Sequence, residues 1–212
     1  RGSWRASPFS PPSSPSSNVS YTFNYADVGS VEHWMRNSAI TTETGNSGIF
    51  VVKPFGFTVS VAGNPAAADA TGAAFVKAGA SFTATVTAIA NGGAATPNYG
   101  KETTAEGVKL TAALVAPAGG NNPALGNGTI AGSEFGAGGM AVDASGVATV
   151  NNLSWSEAGI ITLTPSVADG NYLGAGDITG TVSANVGRFY PDHFALAPAA
   201  SNSLIDRAGI NT

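Results

Sequence analysis

The sequence predicts an all-β protein: an antiparallel, immunoglobulin-like β-sandwich, in tandem with partial neighbouring domains. Three observations predict it. Several short segments alternate apolar and polar residues with a period of two, as half-buried strands do. Turn clusters such as Gly63-Asn64-Pro65, Asn91-Gly92-Gly93 and Asp143-Ala144-Ser145-Gly146 separate them. The composition fits as well. The 212 residues include 28 Gly and 12 Pro, and only 10% are charged, against about 25% in an average soluble chain.

Taken in order, residues 1–18, RGSWRASPFSPPSSPSSN, are Ser- and Pro-rich without a hydrophobic period and read as a linker. Residues 19–56 read as the last strands of a preceding sandwich or an N-terminal extension, with Val28–Arg36 as one place for a short helical turn and Pro65–Gly72 as another. Phe55, Phe57, Val59 and Val61 share one face of a strand. In Ser81–Ala88 the residues Phe82, Ala84, Val86 and Ala88 face inward, with Thr83, Thr85 and Thr87 outward. Val108–Leu114 and the run Gly159, Ile161, Leu163 supply two more strands. In Ile178–Val186 the alternation assigns Ile178, Gly180, Val182, Ala184 and Val186 to the interior. Phe82, Val86, Leu110, Ile161, Leu163 and Val182 are therefore expected in one core. Ala116–Gly139 has no period; a loop of that length is either a binding loop or a decorated crossover.

The chain also repeats itself. Tyr25-Ala26-Asp27-Val28-Gly29-Ser30-Val31 matches Trp155-Ser156-Glu157-Ala158-Gly159-Ile160-Ile161 in aromatic–small–acid–small–Gly order. Val52-Lys53-Pro54-Phe55 likewise matches Val186-Gly187-Arg188-Phe189. A recurring unit suggests a tandem array. It sets one complete sandwich at residues 57–189, with a linker and the start of a further domain at 190–212.

Net charge is −4 and the isoelectric point is near 5.0, so the chain lacks the basic stripe that nucleic-acid backbones require. With no cysteine, disulfides, thiol catalysis and zinc–thiolate sites drop out together. No apolar run approaches the roughly 18–20 residues of a membrane span. No cofactor and no metal is expected. Gly45-Asn46-Ser47-Gly48 is the nearest approach to a serine-nucleophile elbow and fails at Ile49. Asp69, Asp143, Asp169 and Asp177 lie in turns without the spacing of a calcium loop. Asp27 and Glu157, equivalent in the repeat, suit a role in bonding turn amides.

The weak candidates for a ligand or active site are His33 with Trp34, an aromatic face suited to a sugar ring, and His193 with Asp192. Neighbours on an extended chain point to opposite sides, which argues against pairing of the last two. Phe189, Tyr190, Pro191 and Phe194 are expected to pack between domains, with Phe189 and Phe194 buried and Gly187–Leu196 an extended linker. Lys77 and Lys109 are the lysines considered for an isopeptide bond to Asn.

The segments Phe23-Asn24-Tyr25-Ala26-Asp27-Val28-Gly29, Val52-Lys53-Pro54-Phe55-Gly56-Phe57, Gly63-Asn64-Pro65-Ala66-Ala67 and Val186-Gly187-Arg188-Phe189-Tyr190-Pro191-Asp192-His193-Phe194 resemble the MshQ-like proteins, which accompany the mannose-sensitive haemagglutinin type IV pilus of bacteria. The resemblance implies a multidomain secreted or surface protein, with no catalytic residues to carry over. It leaves two functional readings. One is a non-catalytic spacer or binding module of a pilus-associated adhesin or assembly protein, whose partners are other domains of the same protein, pilus components or a glycan. The alternative is an extracellular hydrolase, or a polysaccharide-binding accessory domain, working in a cleft between loops.

Overall fold

The computed structural model describes residues 20, 22–36, 40, 42, 44–135 and 146–195. Among them are nine strands: β1 (Gly29–Arg36), β2 (Thr44–Val52), β3 (Gly56–Val61), β4 (Ser81–Ile89), β5 (Val108–Ala116), β6 (Thr129–Ile130), β7 (Val147–Ser154), β8 (Gly159–Val167) and β9 (Val186–Phe189). Two short 3-10 turns, at Gly132–Phe135 and Tyr172–Gly174, are the helical elements among the described residues. The fold is all-β, as the alternation predicts.

Two antiparallel sheets, ordered β3-β4-β7 and β6-β5-β8-β9, face each other; β1 and β2 form a separate antiparallel pair. The core lies between the two larger sheets. Phe57, Phe82, Val86 and Leu153 enter it from one sheet, and Leu110, Ile161, Leu163 and Val186 from the other. Strand β4 shows why the period-two pattern dictates this. Phe82, Ala84, Val86 and Ala88 are buried while the intervening threonines face outward, Thr85 bonding Thr149 of β7 across the solvent face. The small inward residues let the sheets approach closely, and the Thr85–Thr149 pair joins the two strands without charge.

Four expectations are corrected. Val28–Arg36 holds no helical turn: β1 runs from Gly29 and pairs with β2. Its β-branched and aromatic residues favour a pleated surface over a helix. Phe55 does not share the face of Phe57; it is 66% exposed and lies before β3, where the bend that follows buried Pro54 resets the chain. Ile178–Val186 is not a regular strand, and Val182 is 52% exposed. Gly180 N–H donates to Pro165 O in β8, whereas Thr181 N–H donates to Phe57 O in β3. The segment thus straddles a corner between the two sheets, a role for which strict alternation is not required. Pairing with β8 becomes regular only from Val186.

Fourth, Pro65–Gly72 holds no helical turn either. The stretch 116–139 connects β5 of one sheet to β7 of the other and carries β6, as the decorated-crossover reading expects. Within its described part the chain lies on the open edge of β5 rather than looping free. Leu110 N–H donates to Gly128 O, Asn122 Nδ2 donates to Ala112 O, and Gly126 exchanges backbone bonds with Ser154. Ile130 and Phe135 are buried. Covering an edge in this way blunts a template for further strand pairing. Residues 1–18, Asp143, residues 136–139 and residues from Leu196 onward lie outside the described residues.

Candidate functional site

The four candidate ligand residues sit on two separate elements. His33 and Trp34 belong to β1. The His33 ring stacks on Phe23 with centroids 4.4 Å apart and planes 5° from parallel. Its contact with Ser47 is through the backbone: His33 N–H donates to Ser47 Oγ at 3.0 Å. That is the geometry of a strand-bulge bond and not of a base poised on a nucleophile. Trp34 is half-exposed, and its indole N–H donates to Glu32 Oε2 at 2.6 Å. The result is an exposed indole face with a carboxylate holding its edge.

Asp192 and His193 follow β9. Contrary to the expectation for an extended pair, they do meet: His193 Nδ1 lies 3.1 Å from Asp192 Oδ2. The chain turns after Pro191, so the alternation of a straight strand no longer applies. Asp192 also pairs with Lys77, Nζ to Oδ1 at 2.5 Å. These two contacts hold its carboxyl below the usual carboxylate range, the Lys77 bond contributing most, while the same bond raises Lys77. All three side chains are open to water, so this is a surface charge cluster and not a desolvated catalytic pair. Lys77 is engaged with this carboxylate, and Lys109 lies on the outer face of β5, beside a groove of about 490 Å³.

Among the described residues the dense network of polar contacts lies instead where two sequence motifs meet. Asn64, from Gly63-Asn64-Pro65-Ala66-Ala67, donates through Nδ2 to Asn185 O at 2.8 Å and accepts through Oδ1 from Gly187 N–H at 3.0 Å and Ala66 N–H at 3.2 Å. Asn185 Nδ2 returns a bond to Ala67 O, and Ala67 N–H donates to Gly187 O. Further along, Arg188 Nε donates to Gly72 O, Phe75 N–H to Arg188 O, and Ala78 N–H to Tyr190 O. The loop after β3 is thereby laced along the outer edge of β9. Gly187 is required there: its φ is +110°, and a Cβ would press on Gly159 O.

Beneath this lacing Phe189 is buried among Phe75, Phe82 and Trp155, with ring centroids 5.3–5.6 Å away. Its partners come from this sandwich, so Val186–Phe189 is a closing strand and not a linker. Tyr190 is half-buried along the 76–78 segment. Pro191 is exposed, and Phe194, expected to be buried with Phe189, is 89% exposed. The structure also resets the repeat. Gly29 pairs with Val52 and Gly159 with Phe189, so Val52 answers to Phe189 rather than to Val186. Val52-Lys53-Pro54-Phe55-Gly56-Phe57 then lies over Phe189-Tyr190-Pro191-Asp192-His193-Phe194, with Pro on Pro and Phe on Phe.

One polar cluster has no sequence signature. Tyr99 and Tyr172 stack with centroids 5.7 Å apart. Tyr99 Oη donates to Gly107 O, and Tyr172 Oη donates to Glu102 Oε1 at 2.7 Å. Glu106 Oε1 accepts from Leu173 N–H, and Glu102 Oε2 from Glu106 N–H. Burial raises both phenols. Burial also raises Glu106, with Asp169 and Glu102 adding repulsion. Residues so distant in sequence meet only through the fold. These contacts brace the 99–107 loop internally and tie it to the 3-10 turn at Tyr172, and no group of three metal-binding side chains occurs among the described residues. The repeat acids differ: Asp27 Oδ1 accepts from the backbone N–H of Val28 and Asn98, whereas Glu157 accepts from the Asn121 side chain.

No curated protein and no solved structure matches the chain. Two family descriptions do. Residues 53–152 match DUF6701, second domain, and residues 157–209 match DUF6701, third domain. The division between them falls at the end of β7, so the two matched segments share the four-stranded sheet, β6 and β5 coming from the first and β8 and β9 from the second. Taken together the matches span well over half of the sequence, and the chain belongs to the DUF6701 family.

Proposed function

We propose that this chain is a non-catalytic, immunoglobulin-like module of a secreted or surface-displayed bacterial protein of the MshQ-like, pilus-associated kind, acting as a spacer or as the carrier of a binding head. The observation that supports the reading is the use made of its two distinctive motifs. Asn64 and Gly187–Tyr190 spend their polar groups on each other and their aromatic surface on the core. A catalytic or binding motif keeps such groups pointed at a cleft. A rigid edge-laced sandwich of low charge suits extension between other domains, with other domains of the same protein and pilus components as its partners. Polysaccharide binding has one observation in its favour, the exposed Trp34 indole beside Glu32.

The test is a screen of the purified chain against ester, glycoside and peptide substrates, with a glycan array alongside. The module reading expects no turnover. Turnover that disappears on replacing His33, His193 or Asp192 while the melting curve is unchanged would establish the hydrolase reading instead. Array binding lost in Trp34→Ala alone would establish a glycan-binding module.

A further inference from the structure

Among the described residues the β1–β2 pair has a face with no second sheet over it, and the repeat shows what covers its counterpart. Gly29 and Gly159 occupy equivalent positions, both with positive φ (+126° and +151°), and each opens a strand of an antiparallel pair. Val31 pairs with Phe50 as Ile161 pairs with Val186. Ile161 and Val186 are buried beneath the opposing sheet, as is Leu163, the counterpart of His33. Carried back by the same offset, Phe23 falls on Leu153 of β7, which is also buried. In the first copy these places are less buried: Val31, His33 and Phe50 are half-buried, and Phe23, 49% exposed, lies across His33 and Phe50.

We propose that the Val31–His33–Phe50 face of β1–β2, with Phe23, is the closing seam of a preceding sandwich of the same plan, whose other strands lie upstream in the same polypeptide. The family matches agree in direction, since the first of them is to a second domain. On the opposite side of the pair the end nearest Gly29 meets the present sandwich: Val51 packs against its core, and Val28 is buried in it. The strand pair would then be shared between two modules, one on each side. Such sharing transmits orientation from one sandwich to the next. This inference stands whether or not the protein serves a pilus.

Hydrogen exchange tests it, on the 212-residue chain and on the polypeptide extended upstream by about 100 residues, one domain's length. In the shorter chain the amides of β1 and β2 should exchange about a hundredfold or more faster than those of β5 and β8, because less apolar surface covers them. In the extended chain they should slow to the rate of β8. Phe50→Asp should abolish that slowing while leaving the melting of the downstream sandwich unchanged, and Phe50→Leu should preserve it. The proposal is overturned if the extension leaves exchange unaltered, or if β1 and β2 are already as protected as β8 in the shorter chain. It is equally overturned if sedimentation shows a dimer that Phe50→Asp dissociates, which would assign the face to a second copy. Faster exchange on deletion of residues 1–18 would assign it to that segment.

Discussion

Asn64 has a single short side chain that reaches three backbone groups, two of them on the far side of the loop closure at Asn185 and Gly187. Its replacement by Ala strands a half-buried donor and acceptor together, so Asn64→Ala should cost about 1–3 kcal/mol by urea melting. Phe189 should matter more. Truncation to Ala leaves a cavity between Phe82 and Trp155 and should cost about 3–5 kcal/mol. If either variant melts with the wild type, its motif does not close the sandwich. Glu106 makes the opposite kind of contribution. Its folded carboxyl holds a proton more tightly than the unfolded chain does, so stability falls as pH rises through the window above the ordinary glutamate value. Glu106→Gln keeps an acceptor for Leu173 N–H and removes the charge. It should melt higher than wild type at pH 7, with the difference vanishing below about pH 4. Asp69 and Asp192 run the other way: their lowered carboxyls stabilise the fold above the usual range, and that contribution fades as acid protonates them.

Among the elements, β4, β5 and β8 were legible because each is buried on one face only, and burial on one face is what writes a period of two into a sequence. The stretch Ile178–Ala184 carries the same pattern and forms no regular strand. Its backbone bonds are divided between β8 and β3, and alternation cannot reveal which partner a residue will find. The difference is measurable. Val182→Thr, at an exposed position, should change stability by less than about 0.5 kcal/mol, whereas Val186→Thr buries a hydroxyl in the core and should cost more than about 1 kcal/mol. Equal costs at both positions would mean that 178–184 is packed as a strand after all. The candidate site was less legible than the strands. The residue types at His33–Trp34 and Asp192–His193 gave chemistry without distance, and the structure sets one pair on β1 and the other after β9. The Tyr99–Tyr172–Glu102–Glu106 cluster left no mark in the sequence, because its members are neither periodic nor adjacent.

For the whole molecule, the central claim is that one sandwich is built across the division between the second and third family segments. β5 lies between a two-residue strand and β8, and the edge of β8 is closed in turn by β9 and the laced loop. A chain ending at residue 152 loses β8, β9, Trp155 and Phe189 together, and with them half of one wall of the core. The direct measurement is thermal unfolding, followed by near-ultraviolet circular dichroism, of residues 53–195 beside residues 53–152. The longer piece should show a fixed aromatic signal and one cooperative transition, and the shorter neither. A cooperative transition in residues 53–152 alone would contradict the account, because the second segment would then be a domain in its own right and β8–β9 an attachment to it.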